Sequence, residues 1–105
     1  MKLGIEGEPI PAFEDMADEA VVELAGSGDM NAQEYLINKY KNFVRAKART
    51  YFLLGGDKED LIQEGMIGLF EAIQSYNPEK DASFYSFAAL CVSRQMYTAR
   101  SEERR

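Results

Sequence analysis

The chain has no histidine, no tryptophan, one cysteine and three prolines in 105 residues. Without histidine it lacks the side chain most used as a general base near neutral pH and most often bound to metals. Cys91 alone offers neither a zinc site nor a cysteine–histidine nucleophile. It can form no internal disulfide either, which suits a reducing compartment. No stretch approaches the ~20 apolar residues that span a bilayer. The start, Met1-Lys2-Leu3-Gly4-Ile5-Glu6, is not a basic-then-apolar secretory signal. A cytoplasmic protein with no membrane segment is expected. Gly65 and Gly68 lie inside a helical repeat with no strand before them, so they are not a phosphate-cradling loop. Glu59, Asp60 and Glu64 read as solvated helix residues. The composition therefore predicts neither an enzyme nor a cofactor or metal.

What is present is globular: 46% hydrophobic and 11% aromatic residues, enough for one modest core. The net charge of −6 argues at first against a polyanionic partner, but it is unevenly spread. Residues 1–34 hold nine acids against Lys2 alone, a net of −8, whereas residues 35–105 carry eleven bases and nine acids, a net of +2. That asymmetry fits a polyelectrolyte partner or a charged protein surface, and equally fits solvated helix faces behind an acidic leader.

Residues 1–14, with Pro9 and Pro11 and little periodicity, read as a flexible acidic leader to a single domain over 15–105. From Asp15 a short helix with apolar Met16, Ala20, Val21 and Leu24 runs to Gly26-Ser27-Gly28. Asp29 suits the N-cap of a long helix, in which Ala32, Leu36, Tyr40, Phe43, Val44, Ala48 and Tyr51 recur at three- and four-residue spacing. Gly55-Gly56 stops it. Asp57 caps a third helix with the stripe Leu61, Ile62, Met66, Leu69, Phe70, Ile73 and Tyr76, ended by Asn77-Pro78. Ser83 caps a fourth helix, Ser83–Arg100, which buries some of Phe84, Phe87, Ala88, Cys91, Val92 and Met96. Nothing alternates as a strand would. The fold class is all-α, a compact bundle of about four helices.

The segment Asp60–Ile73, DLIQEGMIGLFEAI, resembles the core-polymerase-binding helix of the bacterial sigma-70 family of RNA polymerase factors. The likeness continues through Tyr76-Asn77-Pro78 and Phe84-Tyr85-Ser86-Phe87-Ala88. Upstream it includes Gly28-Asp29, Tyr35-Leu36 and Tyr40, so it covers roughly residues 15–105. Tyr40–Tyr51, YKNFVRAKARTY, with Glu64–Leu69, is most similar to the sporulation and stationary-phase sigma-H branch. The resemblance implies the region-two helical domain, which binds core polymerase and recognises and melts the promoter −10 element. It implies core RNA polymerase, through the coiled coil of its largest subunit, and promoter DNA as partners, and it allows for an anti-sigma regulator. The −35-reading domain of a whole factor would be absent, which reads as a fragment.

At 100° per residue, Asp60, Gln63, Glu64, Ile67 and Glu71 fall outside the apolar stripe, on an acidic face suited to arginines of a partner. The expected polymerase-binding set is Asp60, Gln63, Glu64, Met66, Ile67 and Phe70, with Met66 standing where several family members have asparagine. For DNA, opened bases are captured by aromatic rings and phosphates by bases of the opposite charge. Tyr76, Lys80, Phe84, Tyr85 and Phe87 supply both kinds. By resemblance Tyr76 and Phe87 help form the pocket for a flipped non-template base, while at least one of Phe84 and Phe87 fills the core. Tyr85 is the least buried by helical phase.

Carried over without a gap, the family pattern puts Arg94 where the primary factor reads duplex DNA with glutamine, at the upstream edge, with Thr98 one turn on. Arginine favours guanine and glutamine adenine. An alignment on Arg94-Gln95 as a dipeptide makes Gln95 the reader instead. Leu90-Cys91 stands where primary factors carry a tryptophan pair, a departure that points to an alternative factor. The run Lys39, Lys41, Arg45, Lys47 and Arg49 lies along nucleic acid or polymerase, or is a solvated face. The competing reading is a helical adaptor that docks on polymerase without touching DNA.

Overall fold

The computed structural model describes residues 12–52 and 58–103, and these form four helices with no strand among them. They are α1 (Asp18–Gly26), α2 (Met30–Phe52), α3 (Lys58–Ser75) and α4 (Phe84–Glu103). A short 3-10 turn, Phe13–Asp15, precedes α1.

The joint between α1 and α2 is built from backbone chemistry. Gly28 has φ of 107°, its amide donates to the Ala25 carbonyl, and the Asp29 amide donates to the Leu24 carbonyl, both at 3.1 Å. These two bonds are a Schellman close, which needs a left-handed residue that glycine occupies without strain. Asp29 then turns outward and caps α2, its carboxylate accepting from the amides of Asn31 (2.9 Å) and Ala32 (3.1 Å). The N-cap expected at Asp29 is thus present.

The α2 repeat does what its spacing predicts. Ala32, Leu36, Tyr40, Val44 and Ala48 are buried, flanked by half-buried Phe43 and Tyr51. On α3 the buried residues are Leu61, Leu69, Ala72 and Ile73, with Ile62 and Met66 packed at the margin. Phe70 departs from the expected stripe and is 46% exposed. Phe84, Ala88, Val92 and Met96 of α4, four residues apart, complete one continuous core with Val21, Val22 and Ala25 of α1.

Two further expectations are corrected. The leader boundary at residue 14 cuts through packed structure, because Phe13 lies against the core with its ring 5.4 Å from that of Tyr35. The first helix begins at Asp18, not Asp15. The rest of the leader, the Gly55-Gly56 stop and the Asp57 cap lie outside the described residues.

Helices α3 and α4 make the most extensive pairing, and Gly68 permits it. A Cβ on Gly68 would sit 2.8 Å from the Cys91 carbonyl oxygen and 3.0 Å from Val92 Cα, so α4's backbone passes directly over it. Gly65 is similarly covered by Met96 and Val44 side chains. No membrane-length apolar helix occurs among the described residues.

These contacts predict an ordered series in urea denaturation. Gly68→Ala meets backbone, so it should lose about 1–3 kcal/mol or more. Gly28→Ala meets no atom but must hold a left-handed φ, at a cost of about 1 kcal/mol. Gly26→Ala, helical with open space around it, should be neutral or slightly stabilising. A neutral Gly68→Ala would show that α3 and α4 can part without loss.

Candidate nucleic-acid interface

The loop after α3 is folded by its own polar groups. The Asn77 amide donates to Asp81 Oδ2 (3.0 Å), Asn77 Oδ1 accepts from the Glu79 amide (2.9 Å), and the Asn77 carbonyl accepts from the amides of Lys80 and Asp81. Asparagine before proline starts such turns because its side chain bonds the backbone two residues on. The Tyr76 hydroxyl then donates to the Ala82 carbonyl (2.8 Å), tying the end of α3 to the start of α4. Ser83 caps α4 as expected, its Oγ accepting from the Ser86 amide (3.1 Å).

Across this closure six aromatic residues meet. Phe84 is at the centre, in T-shaped contact with Tyr40 (5.4 Å) and Tyr76 (5.6 Å). Tyr76 also reaches Phe87 (5.8 Å), and Phe43 reaches Tyr85 (5.4 Å). Phe84 is fully buried, so it is corrected from a DNA-facing residue to a core one: no base can reach its ring. Tyr85 is 54% exposed yet supported from below by Tyr40 and Phe43, which makes a flat, braced ring at the surface. Tyr76 and Phe87 are half-buried and in contact with each other, Tyr76 also lying against Phe84. Lys80 is exposed on the loop.

Further along α4, Arg94 and Thr98 are exposed one turn apart on one face. Gln95 is turned the other way. Its Nε2 donates to Glu64 Oε1 at 2.7 Å in the α3–α4 crevice, so in this arrangement Gln95 does not point outward as a base reader. Leu90 and Tyr97, exposed by 53% and 59%, share the outer side of α4 and were not anticipated, although their seven-residue spacing around Arg94 was there to be read. Cys91 is half-buried, and burial pushes its thiol up despite the nearby Arg94.

The second face lies on α3. Asp60 and Gln63 are exposed, as are Ile67 (47%) and Phe70 (46%). Of the remaining expected polymerase-binding residues, Glu64 is engaged by Gln95 and Met66 packs against the core, so each offers only part of its surface.

Two acids that sequence reasoning treated as diffuse charge prove local. Asp18 accepts from the Tyr40 hydroxyl (2.5 Å) and pairs with Lys39 (2.6 Å), and Glu19 Oε2 accepts from the Phe84 amide (2.7 Å). Contacts spanning 22 and 65 residues leave no local signature. Burial first, and then the Asp18 bond, push the Tyr40 hydroxyl far above its ordinary value. Tyr76 is raised by burial and by the charges of Glu19 and Asp81. Lys39 is raised by its bond to Asp18.

The described residues thus form an all-α domain with a clustered aromatic ledge at the start of α4 and an exposed mixed polar–apolar face on α3. The chain belongs to the sigma-70 region 2 family, whose model matches residues 36–105. That membership sets it apart from enzymes. Over 87 residues it is 54% identical to the RNA polymerase sigma-H factor of Bacillus licheniformis, covering 83% of this chain and 39% of that protein. The sigma-H factor of Bacillus subtilis (strain 168) is likewise 54% identical over 87 residues, with 83% and 40% covered. The RNA polymerase sigma-28 factor of Bacillus thuringiensis subsp. kurstaki is 35% identical over 75 residues, with 71% and 32% covered. The chain thus spans about 40% of the length of the sigma-H factors it matches.

The Tyr40 environment yields a pH test. Its folded value lies above the ordinary 10.0, so the unfolded chain releases this proton at a pH where the folded protein still holds it. The stabilisation is complete below about pH 10 and declines as pH rises past it. Chemical denaturation should show stability falling in this alkaline window, with a shallower fall in Tyr40→Phe. Parallel curves for the two proteins would mean that the Tyr40 proton is not linked to folding.

Proposed function

We propose that this chain is the transcription-initiation module of a sigma factor, docking on core RNA polymerase through α3 and capturing the promoter −10 element at the start of α4. The observation that carries the reading is Tyr85: an exposed ring, braced by two other aromatics, in a chain of the sigma-70 region 2 family. A large ring left in water, in the same aromatic cluster as half-buried Tyr76 and Phe87, does little for the core and much for a base that has left its stack. Lys80 on the adjoining loop supplies a positive charge for phosphate, and Arg94 with Thr98 form a face for base pairs still intact. On α3, Gln63 and Asp60 offer hydrogen-bond acceptors and Ile67 and Phe70 apolar contact, a combination suited to a protein helix bearing arginines. The cytoplasm is the compartment this role requires, and an anti-sigma regulator is a further partner compatible with the same α3 face.

Binding to a single-stranded oligonucleotide of the non-template −10 sequence, with and without a fragment of polymerase's largest subunit, tests the reading. Tyr85→Ala should cost about 1–3 kcal/mol in that affinity. Gln63→Lys combined with Ile67→Asp should abolish the subunit's effect while leaving the fold intact. Arg94→Gln should shift preference at one upstream base pair from guanine towards adenine by about 1–3 kcal/mol. No oligonucleotide binding at low salt, with docking retained, would replace this reading with a polymerase adaptor that does not touch DNA. Docking that survives the double substitution would remove α3 as the docking face.

A further inference from the structure

We infer that Glu19 is a positioning residue for the base-capturing aromatics: its carboxylate fixes where α4 begins, and thereby the direction in which Tyr85 leaves the domain. The consequence for DNA rests on the function proposed above, whereas the positioning itself stands on the geometry alone.

A helix starts with amides that have no partner inside it. In α4 the third of these, on Ser86, is taken by Ser83 Oγ, and the first, on Phe84, is met from elsewhere. Glu19 Oε2 accepts from it at 2.7 Å, from another helix 65 residues earlier in the chain. The bond is charge-assisted and sits at the positive end of the α4 dipole, where a carboxylate is favoured. Next to it on α1, Asp18 holds the Tyr40 hydroxyl, and Tyr40 in turn rests against the rings of Phe84 (5.4 Å) and Tyr85 (6.2 Å). Two neighbouring carboxylates therefore grip the ledge from both sides, Glu19 by the backbone of α4 and Asp18 by a ring of α2. An acid under a surface meant for phosphates would ordinarily repel them. Here an amide and the helix terminus oppose the Glu19 charge, and Lys39 opposes that of Asp18. Helix α1 lies outside residues 36–105, which the family model matches, so the element that aims the aromatic ledge flanks the matched domain.

The test compares Glu19→Ala, Glu19→Gln, Gly28→Ala and Tyr85→Ala in the whole chain. It reads Phe84 amide exchange, the Tyr85–Phe43 ring contact by NMR, and affinity for the single-stranded −10 oligonucleotide. In Glu19→Ala the Phe84 amide should exchange at least about tenfold faster, the ring contact should weaken, and affinity should fall about five- to tenfold. Glu19→Gln should restore most of each, because its amide oxygen accepts the same bond. Gly28→Ala lowers stability while keeping the Glu19 carboxylate; where its Phe84 amide exchanges as in the wild type, it should keep wild-type affinity once folded. A folded Glu19→Ala that keeps the ring contact overturns the inference. So does wild-type affinity in Glu19→Ala when Tyr85→Ala has lost it. If Tyr85→Ala itself binds normally, the DNA reading fails on its own, and the exchange and ring-contact measurements still decide whether Glu19 positions the ledge.

Discussion

The ring of Phe84 is sealed from solvent, with Tyr40 and Tyr76 meeting it in T-shaped contacts at 5.4 and 5.6 Å. Those two partners come from α2 and from the end of α3, so one buried side chain ties three helices together at the point where α4 starts. Rings in this arrangement attract beyond the area they bury, and each fixes the tilt of the next. The exposed ring of Tyr85 inherits its orientation from this cluster through Tyr40 and Phe43. A surface aromatic with such backing loses little freedom when a planar partner stacks on it, which is what pre-organisation means for binding. The same buried hub therefore serves stability and the candidate interface at once.

The close pass of α4 over α3 is the second constraint. With Gly68 beneath it, the α4 backbone comes near enough for the Gln95 amide to reach Glu64 across the crevice. This bond joins the helix proposed to read DNA to the helix proposed to dock on polymerase. It also sorts neighbouring residues by role: Gln95 faces inward and Arg94, one position earlier, faces out.

Much of the fold was legible because it depends on periodicity. The stripe from Ala32 to Ala48 and the series Phe84, Ala88, Val92, Met96 are buried as their spacing implies, and Asp29 and Ser83 cap the helices they precede. Phase alone also put Tyr85 outside. The errors came where phase gives a range and packing decides within it. Phe70 sits at the edge of its stripe and emerges, whereas Phe84, read as a contact for DNA, is taken into the core because Tyr40 and Tyr76 close over it. Gln95 could not be told from Arg94 without knowing which side of α4 meets Glu64. Asp18 and Glu19 were legible only as part of an acidic stretch, since their partners lie on other helices.

The turn joining α1 to α2 uses Asp29 twice over. Asp29 ends one helix with its amide and begins the next with its carboxylate, and Gly28 alone makes the reversal between them. Such a joint has no slack. One residue more or fewer between Gly26 and Met30 would part the Asp29–Leu24 closing bond from the Asp29 cap and move α1 relative to α2, carrying Asp18 and Glu19 away from the groups they hold. Its length is thus a specification in its own right. Exposed side chains on α1 can vary so long as the two acids and the buried Val21, Val22 and Ala25 remain, but a change of length at this elbow disturbs both helices at once, and the helix is best exchanged between related chains together with its turn.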